Sequence, residues 1–106
     1  MFDYMMTKEQ LKIRDEVRDF IKWVPRQMVL DMDTDKIKFP KEFLQEAARR
    51  NLMGCRYPKK WGGRDMDWVT TCMVMEEVGT IGYEMACVFG VGAELVCDAI
   101  ILHGTD

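Results

Sequence analysis

The segment RYPKKWGGRDMDW, residues 56–68, decides how the rest of the chain is interpreted. It holds four basic side chains, one proline, two adjacent glycines and two tryptophans. A phosphate-binding P-loop would need a preceding strand and a GK[ST] ending, whereas this segment follows a helical pattern and has neither Ser nor Thr directly after its glycines. Lys59, Lys60 and Arg64 with Trp61 could grip an anion, but the composition favours a solvated corner between two helices.

The sequence before this corner has the periodicity of helices. Thr7 and Gln10 have the spacing of a capping box, which predicts a helix start at this point. An apolar stripe follows at helical spacing, formed by Ile13, Val17, Phe20, Ile21 and Val24. Pro25 should end or kink this helix. A further helix is predicted from Pro40, with one apolar face and Gly54 as its closing residue; that face consists of Phe43, Leu44, Ala47 and Leu52.

Two more helical segments are predicted after the corner. Asp65 or Asp67 can cap the first of them. Five of its residues are spaced for burial on one side, with Glu76 as the exception: Val69, Cys72, Met73, Glu76 and Val78. The second segment, from Tyr83 to Leu102, is expected to be one broken helix or two, with its weak point at Gly90 and Gly92. Because Glu94 and Asp98 interrupt the apolar window 85–102, we interpret it as a buried helix and not as a membrane span.

Whole-chain composition supports one all-α domain, a bundle of about five helices. The 106 residues are 48% hydrophobic and 31% charged, which suits a single compact core. A net charge of -3 argues against a protein whose main task is binding nucleic acid. The N-terminal stretch lacks the basic region and apolar core of a secretory signal, so a cytoplasmic location is expected.

No complete active site is visible from residue chemistry alone. The four cysteines, at positions 55, 72, 87 and 97, have no zinc-binding or CxxC spacing. Glu76 and Glu77 point about 100° apart around a helix and cannot act as an acid/base pair on one substrate; Glu77 is expected to be solvated and Glu76 to accept a local hydrogen bond. His103 suits the last turn of a helix, where the dipole favours it. The G-x-G at residues 90–92 lacks the third glycine of a dinucleotide-binding fingerprint.

The order of five sequence landmarks is more informative than any one of them. A helix of the form TKEQLKIRDEVRDFIKWVP is followed by a helix beginning FPKEF, the G-x-x-x-P-x-x-W-G-G corner at 54–63, a helix containing MEEVG, and a long apolar helix closing on ILHGTD. This order resembles the N-terminal helical domain of the acyl-CoA dehydrogenase family over nearly the entire chain. The pairs Arg56-Tyr57 and Arg64-Asp65 depart from the smaller residues usual there, which leaves the subfamily open.

The resemblance implies an oxidoreductase that converts an acyl-CoA to trans-2-enoyl-CoA. In such enzymes a glutamate removes the α-proton while flavin adenine dinucleotide (FAD) accepts the β-hydride. That glutamate and most flavin contacts lie in a middle β-domain and a C-terminal helical domain, so residues 1–106 are expected to be an N-terminal domain that is inactive and FAD-free by itself. Implied partners are acyl-CoA, the remaining domains of the same subunit, a second copy of the subunit and an electron-transfer flavoprotein.

The resemblance also implies candidate substrate-binding residues, and no catalytic, cofactor-binding or metal-binding ones. Alignment of ILHGTD with the closing motif of the family places Cys87, Val88, Val91 and Leu95 on the acyl pocket. Residues 87, 91 and 95 also form one apolar helical stripe, so core packing remains an equal reading. The alternative function is a free-standing interaction module that binds a partner helix through a Met- and aromatic-rich face, exemplified by Met28, Met32, Phe39 and Met73.

Overall fold

A computed structural model of the protein describes residues 2–105, and these form helices, turns and loops without any strand. The α-helices are α1 Lys8–Trp23, α2 Arg26–Asp33, α3 Lys41–Arg49, α4 Trp68–Gly79, α5 Tyr83–Gly90 and α6 Cys97–His103. A π-helical turn at Val91–Val96 joins α5 and α6 into one continuous helix, Tyr83–His103. Short 3₁₀ turns lie at Asp3–Met5 and Lys59–Trp61. Five helices result when Tyr83–His103 counts as one, which confirms the expected all-α fold.

Helix α1 begins and ends where the sequence predicts. The Gln10 side-chain oxygen accepts from the Thr7 backbone N–H at 2.9 Å, and the Thr7 hydroxyl oxygen accepts from the Gln10 N–H at 3.1 Å. Together these bonds satisfy two amides that the first helical turn would otherwise leave unpaired. Pro25 separates α1 from α2, as expected of a residue that has no N–H to donate.

Helix α3 starts one residue later than predicted and closes earlier. Pro40 precedes the first helical residue, Lys41, and occupies the N-cap position. At the other end Asn51 adopts a left-handed backbone with φ of 56°, and the Leu52 N–H donates to the Ala47 carbonyl at 3.0 Å. The prediction that Gly54 closes this helix is therefore wrong. Asparagine tolerates the left-handed conformation well enough to end a helix, and Gly54 belongs to the following turn.

Helix α4 has the predicted cap but a different buried face. Asp67 is the cap, and its carboxylate accepts from the Thr70 N–H at 2.9 Å and from the Thr70 hydroxyl at 2.7 Å. The prediction for burial is correct for Met73 and Val78 but wrong for the exposed Val69 and Cys72. Thr70, Thr71 and Val74 are buried in their place. Nearly every side chain of α4 is apolar or small, so periodicity could not select the face that contacts α1.

The core is centred on three phenylalanines from three helices. The ring of Phe43 on α3 lies 5.1 Å from that of Phe20 on α1 and 6.3 Å from that of Phe89 on α5. The C-terminal helix joins this core only through its first half, at Met85, Phe89, Gly90 and Ala93. Its second half projects apolar side chains into solvent: Leu95, Val96, Ile100, Ile101 and Leu102. The prediction of a buried helix is thus wrong for its second half.

Candidate functional site

The corner at residues 56–68 is folded on its own backbone. The N–H groups of Gly62, Gly63, Asp65 and Met66 donate to the carbonyls of Lys59, Pro58, Tyr57 and Cys55 respectively. A Cβ added at Gly63 would stand 2.0 Å from the Tyr57 carbonyl oxygen, so only glycine fits at that position. Because these amides are used internally, they cannot cradle a phosphate, and the corner is structural, as the composition indicated.

Arg64 ties this corner to two helices. Its guanidinium donates to the backbone carbonyls of Asn51 at 2.8 Å and Arg50 at 3.1 Å, where α3 ends. The same group pairs with the Glu16 carboxylate on α1 at 2.7 Å. A cation at the C-terminus of a helix is favourable because the last carbonyls lack partners within the helix. This basic residue of the corner therefore has a structural partner and is not a free anion-binding group.

Arg56 and Tyr57 reach from the corner to the C-terminal helix. The Arg56 guanidinium donates to Asp98 at 2.6 Å and to Glu94 at 2.9 Å, and its carbon lies 3.7 Å from the centre of the Trp68 ring. The Tyr57 hydroxyl lies 2.9 Å from the Asp98 carboxylate and 3.1 Å from the Glu94 backbone oxygen. We call these four residues, Arg56, Tyr57, Glu94 and Asp98, the latch.

The latch keeps the Asp98 carboxylate ionised and the Tyr57 hydroxyl protonated. Burial and the hydrogen bond to Asp98 raise the pKa of Tyr57 well above its usual range. The hydrogen bond from Arg56 lowers the pKa of Asp98. The hydroxyl therefore remains a hydrogen-bond donor, and the carboxylate remains an acceptor, throughout the physiological pH range.

The predicted pocket residues are distributed along the C-terminal helix. Cys87 and Val88 are half-buried in a surface cavity of about 640 Å³, where they lie beside Met32, Ile37 and Tyr83. Val91 and Leu95 are exposed, Leu95 by 69% of its surface. The π turn contains both Val91 and Leu95. Since a π turn holds more residues than an α turn, it changes the angle at which Leu95 stands about the helix axis relative to Cys87.

A second cavity, which the sequence did not indicate, lies between the corner and the end of the C-terminal helix. Its volume is about 570 Å³. Its walls include Tyr57, Pro58 and Trp61 from the corner and Ile100 and Ile101 from α6. The packing of a loop against a helix distant in sequence leaves no local periodic signal. The tryptophan of the corner motif was the one feature that could have suggested an apolar wall at this place.

The continuous helix Tyr83–His103 is long and apolar enough to cross a membrane, judged by length and composition only. The core helix of a soluble protein passes the same test. Only 17% of its most apolar window is buried. Its two carboxylates, Glu94 and Asp98, are paired with Arg56 in the latch. The polar side of this helix is therefore fixed to the corner, and its uncovered side is apolar.

The two adjacent glutamates and His103 are further groups that the sequence singled out. Glu77 pairs with Arg18 at 2.8 Å while Glu76 is exposed, the reverse of the predicted roles. Arg18 lies on the face of α1 that is turned towards α4. The sequence of α4 alone could not reveal this proximity. His103 occupies the last turn of α6, as predicted.

The cysteines do not form a metal site. Cys55 is buried, and burial raises the pKa of its thiol, which suits an inert core residue. Cys72 is exposed, contrary to the burial that its helical spacing predicted. Among residues 2–105 no cluster of three His, Cys, Asp or Glu side chains could hold a metal ion.

Comparison with known proteins identifies relatives of the whole chain. The family model for the acyl-CoA dehydrogenase N-terminal domain matches residues 7–106. The short-chain specific acyl-CoA dehydrogenase of Clostridium acetobutylicum is 24% identical over 98% of this chain, and a probable acyl-CoA dehydrogenase of Bacillus subtilis is 29% identical over 98%. The mitochondrial short/branched chain specific enzyme of Bos taurus is 27% identical over 94%. This chain spans about a quarter of each relative, 27%, 27% and 23% respectively. No solved structure gives a significant match.

Proposed function

Because this chain belongs to the acyl-CoA dehydrogenase family, in which it matches the N-terminal domain, we propose that it is the helical domain shaping the acyl pocket of an FAD-dependent acyl-CoA dehydrogenase. The observation that carries the proposal is the family match over residues 7–106. The reaction proposed for the complete protein is oxidation of an acyl-CoA to trans-2-enoyl-CoA. Proposed partners are acyl-CoA, the other domains of the same subunit, a second subunit and an electron-transfer flavoprotein.

The contribution proposed for this chain is a wall of the acyl pocket, made by Cys87, Val88, Val91 and Leu95. The partial exposure of these residues supports the proposal, since an isolated wall must face open space until the remaining domains cover it. Their side chains are apolar or weakly polar and would exclude water from an acyl chain. Burial of the apolar surface of the acyl chain would favour binding by about 25 cal/mol per Å².

The described residues do not by themselves fit a flavin site. The amides of the glycine corner donate to its own carbonyls, and the G-x-G at 90–92 lies within the continuous helix Tyr83–His103 and not at a helix start. A dinucleotide pyrophosphate is commonly bound by free amides at a helix N-terminus, which neither segment offers. We therefore derive no flavin-dependent step from these residues and assign the cofactor to other parts of the complete protein.

The alternative, a free-standing interaction module, has less support. Of the four residues named for its binding face, Met73 is buried in the core, and Met28 and Met32 are partly buried against it. Phe39 alone among them is exposed, at 61%. The chain thus does not present the continuous Met-rich face that the alternative required.

The first test is the natural gene product that contains this chain. We expect its mass to exceed 12.4 kDa, its absorbance to show bound flavin, and an acyl-CoA to bleach that absorbance anaerobically. A colourless product of 12.4 kDa that oxidises no acyl-CoA would contradict the proposal and return attention to the interaction module.

The pocket assignment has its own test in the same protein. Val91→Phe should narrow the acyl pocket and lower kcat/KM for long acyl chains by about tenfold relative to short ones, the discrimination that a few methylenes provide. Val69→Phe is the control, because Val69 is equally exposed but lies on α4. A uniform loss over all chain lengths in Val91→Phe, or the same length-dependent loss in the control, would count against the pocket.

A further inference from the structure

The π turn at Val91–Val96 is stabilised by side chains outside the ordinary helical pattern. The Glu94 backbone oxygen accepts from the Cys97 N–H, three residues on, and also lies 3.1 Å from the Tyr57 hydroxyl. The Gly92 carbonyl accepts from the Cys97 thiol at 3.3 Å. A π turn is rare and is less favourable than continued α-helix, so it persists where other contacts compensate. Tyr57 supplies one of these contacts from another part of the fold.

Arg56 adds a second contact across the same turn. Its guanidinium is hydrogen-bonded to Glu94 inside the π turn and to Asp98 one helical turn later. It therefore spans the point at which the helix returns to α geometry. The Arg56 and Glu94 side chains are only 15% and 17% exposed, and Trp68 stacks on the guanidinium. A charged pair that is this strongly desolvated and stacked has one well-defined geometry, unlike a mobile surface ion pair.

The π turn separates the predicted pocket residues along the helix. Cys87 and Val88 precede the π turn, whereas Leu95 lies within it. The width of the turn sets the rotation of Leu95 about the helix axis relative to Cys87. If residues 91–96 were α-helical, Leu95 would stand about 80° around the helix axis from Cys87, and the wider π turn reduces that angle.

We propose that Arg56 and Tyr57 are positioning residues that hold the π turn and thereby determine which acyl chains the pocket accepts. The inference rests on the proposed function and deepens it, because it places a determinant of acyl specificity on the corner, outside the pocket. The two residues touch no substrate in this scheme. They act by fixing where Leu95 stands in the pocket wall.

The first experiment uses this chain and does not depend on enzyme activity. Tyr57→Phe retains the buried ring and removes only the hydroxyl. We expect amide hydrogen exchange at residues 91–97 to become about two- to tenfold faster, as the loss of one hydrogen bond predicts, with no change in α1. Tyr4→Phe is the control, since Tyr4 is 82% exposed and lies near the N-terminus. Unchanged exchange at residues 91–97 would overturn the inference.

Asp98→Asn provides a second variant if Tyr57→Phe is too unstable. It preserves side-chain shape and an acceptor for Tyr57 but removes the charge paired with Arg56. The same local increase in exchange is expected. Exchange that rises equally throughout the chain in both variants would show only global destabilisation and would overturn a specific hold on the π turn.

The second experiment uses the complete flavoprotein. Tyr57→Phe should change the order of kcat/KM among acyl-CoA chain lengths at unchanged flavin content. An unchanged order, despite faster exchange at residues 91–97, would overturn the assignment of specificity. If the unmodified protein oxidises no acyl-CoA, the proposed function fails instead, and the exchange experiment still decides whether the latch holds the turn.

Discussion

At the residue scale, Gly63 is the least replaceable position of the corner. A Cβ there would meet the Tyr57 carbonyl oxygen at 2.0 Å and the Gly54 carbonyl oxygen at 3.0 Å. Both atoms are backbone and cannot swing aside. We expect Gly63→Ala to lower the free energy of unfolding by about 3 kcal/mol or more, at the upper end of overpacking effects. Urea denaturation of the purified chain measures this directly.

Gly79→Ala is the matched control for that prediction. Gly79 ends α4, and a Cβ added there meets no atom within 4 Å. Because alanine has the higher helix propensity, this change should be neutral or stabilise the chain by up to about 1 kcal/mol. Equal losses of unfolding free energy in the two variants would mean that the corner relaxes around the added methyl group. The close backbone contact at Gly63 would then not require glycine.

At the element scale, Asp67 joins the start of α4 to α1. Besides capping α4 through Thr70, its carboxylate accepts from the buried Gln10 side chain at 3.2 Å. Hydrogen bonds from the backbone and hydroxyl of Thr70, with a smaller contribution from Gln10, lower the pKa of Asp67. A carboxyl whose pKa is lower in the folded than in the unfolded chain stabilises the fold above its ordinary pKa. That contribution disappears as pH falls through the folded value.

Two substitutions at Asp67 distinguish the effect of the N-cap hydrogen bond from the effect of the negative charge. Asp67→Ala should cost about 1 kcal/mol near neutral pH, typical of a lost N-cap. The cost should shrink as pH falls below about 4, the ordinary Asp value, towards the lower pKa of the folded carboxyl. Asp67→Asn should retain most of the cap and show less loss of stability on acidification. Asp65→Asn is the control, because Asp65 caps no helix and asparagine tolerates its φ of 53°. Parallel pH profiles for wild type and Asp67→Asn would contradict this assignment.

The elements also show what sequence could and could not predict. The start of α1 and the break at Pro25 follow from local chemistry, namely a capping box and a missing amide, and both are confirmed. The buried face of α4 and the partner of Glu77 depend on which helix lies opposite, and local patterns do not contain that information. The family resemblance came from the order of several motifs. The π turn is contacted by Tyr57 and Arg56, more than 30 residues away, so helical spacing alone could not predict it.

At the scale of the whole molecule, the described domain exposes more surface than its size requires. Its accessible area is 7204 Å², whereas a compact monomer of 12.4 kDa is expected to expose about 6,100 Å². The Cα radius of gyration is 14.2 Å, against about 13 Å for a compact domain of this length. The excess area is comparable to one side of a standard interface, roughly 800 Å². The apolar second half of the C-terminal helix lies on this uncovered surface.

We therefore expect the 106-residue chain by itself to self-associate and to bind a hydrophobic dye. Val96 and Ile100 are exposed by 50% and 60% and lie four residues apart on the helix. Replacing both by Glu should weaken self-association by at least about tenfold, since each removes roughly one buried apolar side chain from the contact. Analytical ultracentrifugation over a concentration series gives the dissociation constant. Thermal unfolding should be little changed, because neither side chain lies in the core.

The control for this surface is Phe39→Glu combined with Val69→Glu, which places the same charges on exposed apolar residues of other segments. Self-association should survive in this variant. Neutral phosphatidylcholine vesicles test a second occupant, because the same helix has the length and hydropathy of a membrane span. If the wild-type chain floats with vesicles and remains monomeric without them, the uncovered face is a lipid-binding surface. That result would contradict the self-association expected of the isolated chain.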